Sequence, residues 1–183
     1  MFADGIVGFK IVEYLVANYP QDVALVVTTI ENEIADLARS RGVYTDVFRS
    51  CDDVTARAPD GVDFGILAWW PRILPRALIE WPRLGFFNTH PSYLPFNRGK
   101  HPNFWALVEQ APFGVTIHQA TPHVDSGPIV SQRRIQYDWC DTGGTLHQRA
   151  QLEMVALFRD TYPLLRTETF SLQPQNDDSG SFH

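Results

Sequence analysis

The chain has 183 residues, of which 44% are hydrophobic and 20% charged, and its formal net charge is −6. These values are typical of a globular protein with a real hydrophobic core, and the acidic balance argues against a nonspecific nucleic-acid binder. No apolar run reaches the ~18 residues of a membrane span, and the start lacks a signal-peptide pattern. Cys51 and Cys140 form no Cys-x-x-Cys pair. We therefore expect a cytoplasmic protein without a membrane partner, built as one domain over residues 1–183.

Helical and strand-like apolar patterns alternate along the first half of the chain. A turn with glycines at positions 5 and 8 leads into a predicted helix over residues 9–18, which Pro20 ends. Further predicted elements are a strand over 22–29, a helix over 31–40, and strands over 43–48 and 63–69. Strands that alternate with helices predict a parallel sheet, and so a doubly wound, Rossmann-like α/β fold.

The second half continues the pattern with strands over 84–88, 114–118 and 129–133 and helices over 101–110 and 145–162. Its tail, residues 173–183, is polar and predicts a loop or frayed terminus.

The first strand of the predicted sheet is apparently truncated. Only Met1, Phe2 and Ala3 precede Asp4, whereas a typical strand has about 5–6 residues. In a doubly wound sheet this strand lies centrally, so its loss leaves both neighbours unpaired. We expect on this ground that the natural chain begins upstream of Met1.

Three polar residues in the second half suggest a site for acyl transfer to an amine. Asn88 and His90 are two apart at a predicted strand end and should face one pocket, and Asp125 lies in a loop after another strand. A histidine can take the amine proton, a carboxamide can stabilise the oxyanion, and an aspartate can orient the imidazole. The alternative is that all three are turn or cap residues, which the spacing alone leaves open.

Three separated segments resemble the formyltransferase family: residues 88–95 (NTHPSYLP), 114–118 (GVTIH) and 125–130 (DSGPIV). The resemblance implies that Asn88, His90 and Asp125 are the catalytic trio and that 10-formyltetrahydrofolate is the co-substrate. It further implies that the backbone of Arg72, Ile73 and Leu74 holds the pterin ring. The loop from Thr121 to Val124 resembles the other side of that folate pocket.

Residues 96–105 (FNRGKHPNFW) most resemble the sugar N-formyltransferases within that family. This implies a nucleotide-linked amino sugar as acceptor, such as a dTDP-4-amino-4,6-dideoxyhexose, and a role in O-antigen biosynthesis. Arg98 and Lys100, with Arg72, have the charge to bind a pyrophosphate, and Trp69 has a ring that stacks. The alternatives are ordinary loop charges and a packed indole. His118 is predicted to be a structural histidine behind the site.

The resemblance also leaves other functions open. Sugar N-formyltransferases usually continue into a further C-terminal portion, and its absence puts the sugar-nucleotide site and a homodimer in doubt. The alternatives are formyl transfer to another amine such as glycinamide ribonucleotide, hydrolysis of formylfolate, and a truncated non-catalytic remnant. The lack of a basic C-terminal domain disfavours a nucleic-acid partner, and the chemistry requires no metal.

Overall fold

The computed structural model describes residues 1–58, 61–176 and 180–183, which divide into two compact units, Met1–Asn88 and Thr89–His183. The strands of the first unit are β1 (Phe2–Ala3), β2 (Leu25–Thr28), β3 (Tyr44–Val47), β4 (Gly65–Ala68) and the start of β5 (Phe86–His90). Its helices are α1 (Gly5–Asn18), α2 (Glu33–Ser40), α3 (Cys51–Arg57) and α4 (Arg76–Ile79), with one 3₁₀ turn at Pro20–Asp22.

Strand β1 is short but present, which corrects the expectation that its neighbours are left unpaired. Phe2 is in register with Val27 of β2 on one side and with Leu67 of β4 on the other, and both pairings are parallel. Phe2 and Ala3 are buried. A two-residue strand suffices here because both of its edges are hydrogen-bonded and the Phe2 ring packs in the core.

Helix α1 begins at Gly5 rather than after a glycine turn, so the predicted helix over 9–18 covers only its later part. Its buried face packs on the sheet through Gly8, where a Cβ would lie 3.1 Å from the carbonyl carbon of Ala3. Glycine therefore brings the helix close to β1. The sequence patterns missed α3 and α4, because both are too short to show helical periodicity.

The second unit contains the end of β5, helix α5 (Pro102–Glu109), strands β6 (Phe113–Gln119) and β7 (Ile129–Ile135), and helix α6 (Gly143–Arg166). Pro102 stands at the start of α5, as predicted. Strands β6 and β7 form an antiparallel pair. Helix α6 begins with a capping box in which Thr142 and Thr145 exchange hydrogen bonds, and its buried face includes Leu146, Met154 and Phe158.

The strands are ordered β3-β2-β1-β4-β5-β6-β7 in a seven-stranded sheet. The chain order reverses between β1 and β4, as it does in a doubly wound sheet. This confirms the predicted Rossmann-like α/β class. The prediction that residues 1–183 form one catalytic domain stays a prediction.

The tail that follows α6 is irregular, but most of its described residues are tied down. Gln173 exchanges two backbone hydrogen bonds of 2.8 Å with Ile129, and the N–H of Arg98 donates to the carbonyl of Ser181 at 2.9 Å. Residues 177–179, which belong to the predicted loop or frayed terminus, lie outside the described residues. The polar composition predicted an irregular backbone. It did not predict these hydrogen bonds, because their partners are distant in the sequence.

Candidate functional site

Strand β5 carries Asn88 and His90, two residues apart. His90 is buried, with 6% of its surface exposed, whereas Asn88 is half-buried. The loop after His90 is fixed to β6 by Thr116, whose hydroxyl donates to the carbonyl of Ser92 at 2.8 Å and accepts from the N–H of Leu94. The loop therefore has a defined path where it leaves the strand.

Asp125 lies between two histidines of the second unit. Its Oδ2 is 3.4 Å from Nδ1 of His90, and its Oδ1 is 3.5 Å from Nε2 of His118. The backbone N–H of Gly99 also donates to Oδ2, at 3.0 Å. One buried carboxylate therefore contacts two imidazoles and a backbone N–H. The structure brings His90 and Asp125 together, as the sequence predicted.

Burial and neighbouring groups set the charges in this cluster. Burial lowers the pKa of His90 below its ordinary value, against the opposing effect of Asp125, and so favours the neutral imidazole. Burial alone would raise the pKa of Asp125. The proximity of His90, the contact with His118 and the N–H of Gly99 outweigh it, however, and hold the pKa of that carboxyl well below its usual range. The resting site thus pairs a carboxylate with a neutral His90.

Both nitrogens of His90 face acceptors. Nδ1 lies beside Asp125, and Nε2 is 3.4 Å from the backbone carbonyl of Asn97. A neutral ring has one proton for these two acceptors, and the charged carboxylate is the stronger of them. When the ring takes up a second proton, the new N–H also has an acceptor. The surroundings of His90 thus suit a group that accepts a proton and gives it up again.

The loop that follows Asn97 approaches other backbone so closely that one position requires glycine. Gly99 has φ +93°, and a Cβ there would lie 2.2 Å from the carbonyl oxygen of His183. Glycine therefore permits the turn in which this N–H reaches the Asp125 carboxylate.

The other predicted residues of the second unit occupy this loop and the loop that carries Asp125. The guanidinium of Arg98 donates to Oε1 of Gln175 through Nε at 3.0 Å and Nη2 at 2.7 Å, whereas Lys100 is exposed. Thr121 uses its hydroxyl within the loop, donating to the carbonyl of His123 at 2.9 Å, and Val124 is 37% exposed. Their predicted contacts with sugar nucleotide and folate stay predictions.

In the first unit, the remaining predicted residues follow β4. Trp69 is half-buried with φ +50°, and Arg72 is exposed, with Nη1 3.5 Å from the carbonyl of Phe48. Ile73 is 78% exposed, whereas the side chain of Leu74 is buried. The exposed side chain of Ile73 leaves room for a ring to pack on it. The role of residues 72–74 in holding the pterin ring stays a prediction.

The sequence reasoning missed three residues that shape this cluster. His118 contacts Asp125 directly rather than standing behind the site, Gly99 donates to its carboxylate, and Gln175 donates to its backbone carbonyl at 2.8 Å. Only His118 left a usable signal, because it ends the predicted strand over 114–118, which runs into the Asp125 loop. Gln175 stands fifty residues from Asp125 and gave none.

Within residues 1–58, 61–176 and 180–183, no group of three or more His, Cys, Asp or Glu side chains is arranged to hold a metal ion. Over the same part of the chain, the helices are too short or too polar to cross a membrane.

Comparison with known proteins identifies relatives of most of the chain. A family model described as formyl transferase matches residues 21–160. Methionyl-tRNA formyltransferase of Bacillus pumilus is 33% identical over 132 residues, which cover 72% of this chain and 41% of that protein. The Staphylococcus aureus enzyme of the same name is 32% identical over 122 residues, 66% of this chain and 39% of its own. The chain thus spans about two fifths of the length of these curated relatives.

Solved structures agree with the fold. The formyltransferase PseJ of Anoxybacillus kamchatkensis, in complex with UDP-4,6-dideoxy-4-formamido-L-AltNAc and tetrahydrofolate, is 30% identical with a TM-score of 0.70. The match covers 87% of this chain and 84% of PseJ. Glycinamide ribonucleotide transformylase 1 of Symbiobacterium toebii has a TM-score of 0.79 at 20% identity, with 96% and 92% of the two chains covered. At that identity the likeness concerns the fold alone.

Proposed function

The chain belongs to the formyl transferase family, and from this premise we propose that it transfers a formyl group from 10-formyltetrahydrofolate to the amine of a nucleotide-linked amino sugar. The observation that carries the proposal is the buried Asp125 carboxylate 3.4 Å from His90. We also predict a cytoplasmic location, a role in O-antigen assembly and a homodimer.

The chemistry needs a group that takes the proton of the attacking amine. Asp125 orients His90 by accepting the proton of Nδ1, which leaves Nε2 with a lone pair to act as base. After proton uptake, the N–H at Nε2 can donate to the carbonyl of Asn97, 3.4 Å away. Both nitrogens of the transient imidazolium then have acceptors, which lowers the free energy of the charged ring in its buried position.

Asn88 has the complementary role in this proposal. Its carboxamide N–H donates to the oxygen of the formyl group as that oxygen gains negative charge. Asn88 and His90 alternate with Thr89 on one strand, so they point to the same face of β5. In this proposal Asn88 stabilises the oxyanion of the formyl group, and His90 takes the proton of the amine that attacks the formyl carbon.

The residues present are compatible with a folate co-substrate. In the second unit, Val124 lies directly before Asp125 and is 37% exposed, so part of its apolar side chain is available to contact a flat ring. PseJ, which is 30% identical, was solved with tetrahydrofolate. The co-substrate supplies the activated formyl carbon, while the chain supplies the proton acceptor and the hydrogen-bond donor.

Two acceptors each have a specific observation in their favour. PseJ carries a UDP-linked formamido sugar, which supports a sugar acceptor. The 33% identity to methionyl-tRNA formyltransferase supports an aminoacyl-tRNA instead. A net charge of −6 disfavours that polyanion, because phosphate contacts require basic surface.

The test is a product assay with 10-formyltetrahydrofolate and one acceptor at a time: UDP- and dTDP-linked 4-amino sugars, glycinamide ribonucleotide, methionyl-tRNA, or none. We expect a product 28 mass units heavier, the mass of CO, from an amino-sugar nucleotide alone. Formylated tRNA would instead establish the second candidate, and formate release without acceptor would indicate hydrolysis. No product with any of them would overturn the proposal.

Substitution tests the catalytic roles. His90→Ala and Asn88→Ala should each reduce formyl transfer by roughly 10²- to 10⁴-fold while the protein stays folded by circular dichroism. His147→Ala on the exposed surface of α6 is the matched control and should keep full activity. Near-normal turnover in either site variant contradicts the assignment.

A further inference from the structure

Gln175 joins the two loops that hold the Asp125 carboxylate. Its Nε2 donates to the backbone carbonyls of Asp125 at 2.8 Å and Gly127 at 2.7 Å. Its Oε1 accepts two hydrogen bonds from Arg98, one from Nε at 3.0 Å and one from Nη2 at 2.7 Å. Both ends of one amide are thus engaged, and a single side chain bridges residues 125–127 to Arg98.

Arg98 is followed directly by Gly99, whose N–H donates to Oδ2 of Asp125. The bridge therefore reaches Asp125 twice, through its own carbonyl and through the loop that binds its carboxylate. Asp125 has φ +50°, in the left-handed region that residues with a Cβ adopt uncommonly, although aspartate does so more readily than most. The hydrogen bond to its carbonyl helps to hold this conformation.

The position of Gln175 is itself fixed. Gln173, two residues earlier, exchanges two backbone hydrogen bonds with Ile129 at the start of β7. Gln175 is half-buried, whereas Gln173 is exposed. The tail is therefore anchored to a strand immediately before the residue that contacts the two loops.

We propose that Gln175 is a positioning residue, which sets the orientation of the Asp125 carboxylate toward His90 and His118 by holding residues 125–127 against Arg98. The inference rests on the proposed function for its effect on turnover, but its structural part stands on the contacts alone. It also gives Arg98 a role within the protein, beside the pyrophosphate contact that the sequence predicts.

Two substitutions separate the two ends of the amide. Gln175→Ala removes both sets of hydrogen bonds, whereas Gln175→Glu keeps an acceptor for Arg98 and places a carboxylate oxygen against two carbonyls. Gln173→Ala is the matched control, because it changes the same residue type in the same tail and keeps the backbone bridge. We expect both Gln175 variants to lower kcat roughly 10- to 100-fold, since small displacements of a reacting group cost that much.

A fall in kcat alone would also follow from partial unfolding, so the second readout is the titration of the histidine rings by NMR, with His90 and His118 assigned by substitution. Both Gln175 variants should shift the pKa of His90, because the distance to Asp125 changes, whereas Gln173→Ala should leave it unchanged. A His90 titration that is the same in all three variants overturns the positioning role. This readout needs no turnover, so it distinguishes failure of the inference from failure of the proposed function.

A double variant tests the path through Arg98. If Arg98 acts on Asp125 through Gln175, Gln175→Ala should lower kcat much less in an Arg98→Ala background than in the wild type. Additive losses would show that the two side chains act independently and would overturn the proposed bridge. A rise in KM for the amino-sugar nucleotide confined to Arg98→Ala would report its separate contact with substrate.

Discussion

At the scale of single residues, the cluster is governed by where protons reside. Asp125 keeps its charge because the contacts to its oxygens outweigh burial, and His90 stays neutral because burial outweighs the nearby carboxylate. A neutral imidazole beside a buried carboxylate can accept a proton, because the carboxylate stabilises the resulting imidazolium. Its function therefore depends on the carboxylate remaining deprotonated and correctly oriented.

The lowered pKa of His90 predicts the pH dependence of formyl transfer. A free histidine loses its ability to act as a base below about pH 6.5, whereas His90, with its pKa below that value, should stay neutral to lower pH. The acid limb of kcat/KM should thus lie below pH 6.5. A profile that falls with a midpoint at or above 6.5 would contradict a neutral resting His90.

Folding stability should respond to acid in the same direction. The unfolded chain binds a proton on His90 near pH 6.5 and on Asp125 near pH 3.9, but the folded chain binds both only at lower pH. Their contribution is present in full above those unfolded values and is lost as the pH falls through the folded ones. Urea unfolding at stepwise lower pH measures this. In Asp125→Asn the loss below pH 4 should be smaller, and formyl transfer should fall at least roughly 10²-fold.

At the scale of elements, the loop between β6 and β7 depends on one close approach. A Cβ on Gly127 would lie 1.8 Å from the carbonyl oxygen of Gln119 at the end of β6, and backbone cannot move aside as a flexible side chain can. The loop that carries Asp125 thus turns back tightly against its own strand. The same loop segment, residues 125–127, also accepts the two hydrogen bonds from Gln175.

Gly127→Ala should therefore destabilise the fold by about 1–3 kcal/mol or more, and it should displace Asp125. Gly144→Ala is the control. It lies in the first turn of α6, where the nearest atom to an added Cβ, Oγ1 of Thr142, is 3.7 Å away. Alanine favours a helix over glycine by up to about 1 kcal/mol, so this variant should be neutral or stabilised. Equal urea midpoints for the two variants would show that the Gly127 contact is unimportant.

At the scale of the whole molecule, the formal net charge of −6 gives this chain no positive net field to attract an anion, so we expect an anionic ligand to bind through local basic side chains. In the loop beside the second-unit cluster, Arg98 is engaged with Gln175, and Lys100 is exposed. A small anionic ligand fits this distribution better than a polyanion does, because it needs only one or two cations.

Ligand binding should accordingly raise the unfolding midpoint. Folinic acid, a stable formylated folate, at about 100 times its Kd should stabilise the protein by about 2.7 kcal/mol, and an amino-sugar nucleotide should add a further shift. His90→Ala should retain the folinic acid shift, since the ring acts on the proton rather than on the pterin. Folinic acid with no effect on the midpoint of the wild type would contradict a folate site.

The sequence by itself predicted the fold class, which the strand order confirms, and the candidate residues at the core of the site, whose catalytic roles stay predictions. The spacing of apolar residues shows which side chains of a segment are buried, and this spacing located most helices and strands. Asn88 and His90 were predictable as a pair because strand geometry relates residues two apart. The motif around Asp125, residues 125–130, was recognisable because its residues are contiguous in the sequence.

Only the tertiary structure decided what surrounds that core. The two-residue strand β1 is stable because β2 and β4 pair with both of its edges, which no local pattern reveals. His118, Gly99 and Gln175 reach Asp125 from separate parts of the second unit, at separations of up to fifty residues. Hydrogen bonds between such distant residues depend on how the chain packs rather than on spacing. The sequence therefore predicted the candidate residues of the site, and packing determined the charge and orientation of His90 and Asp125.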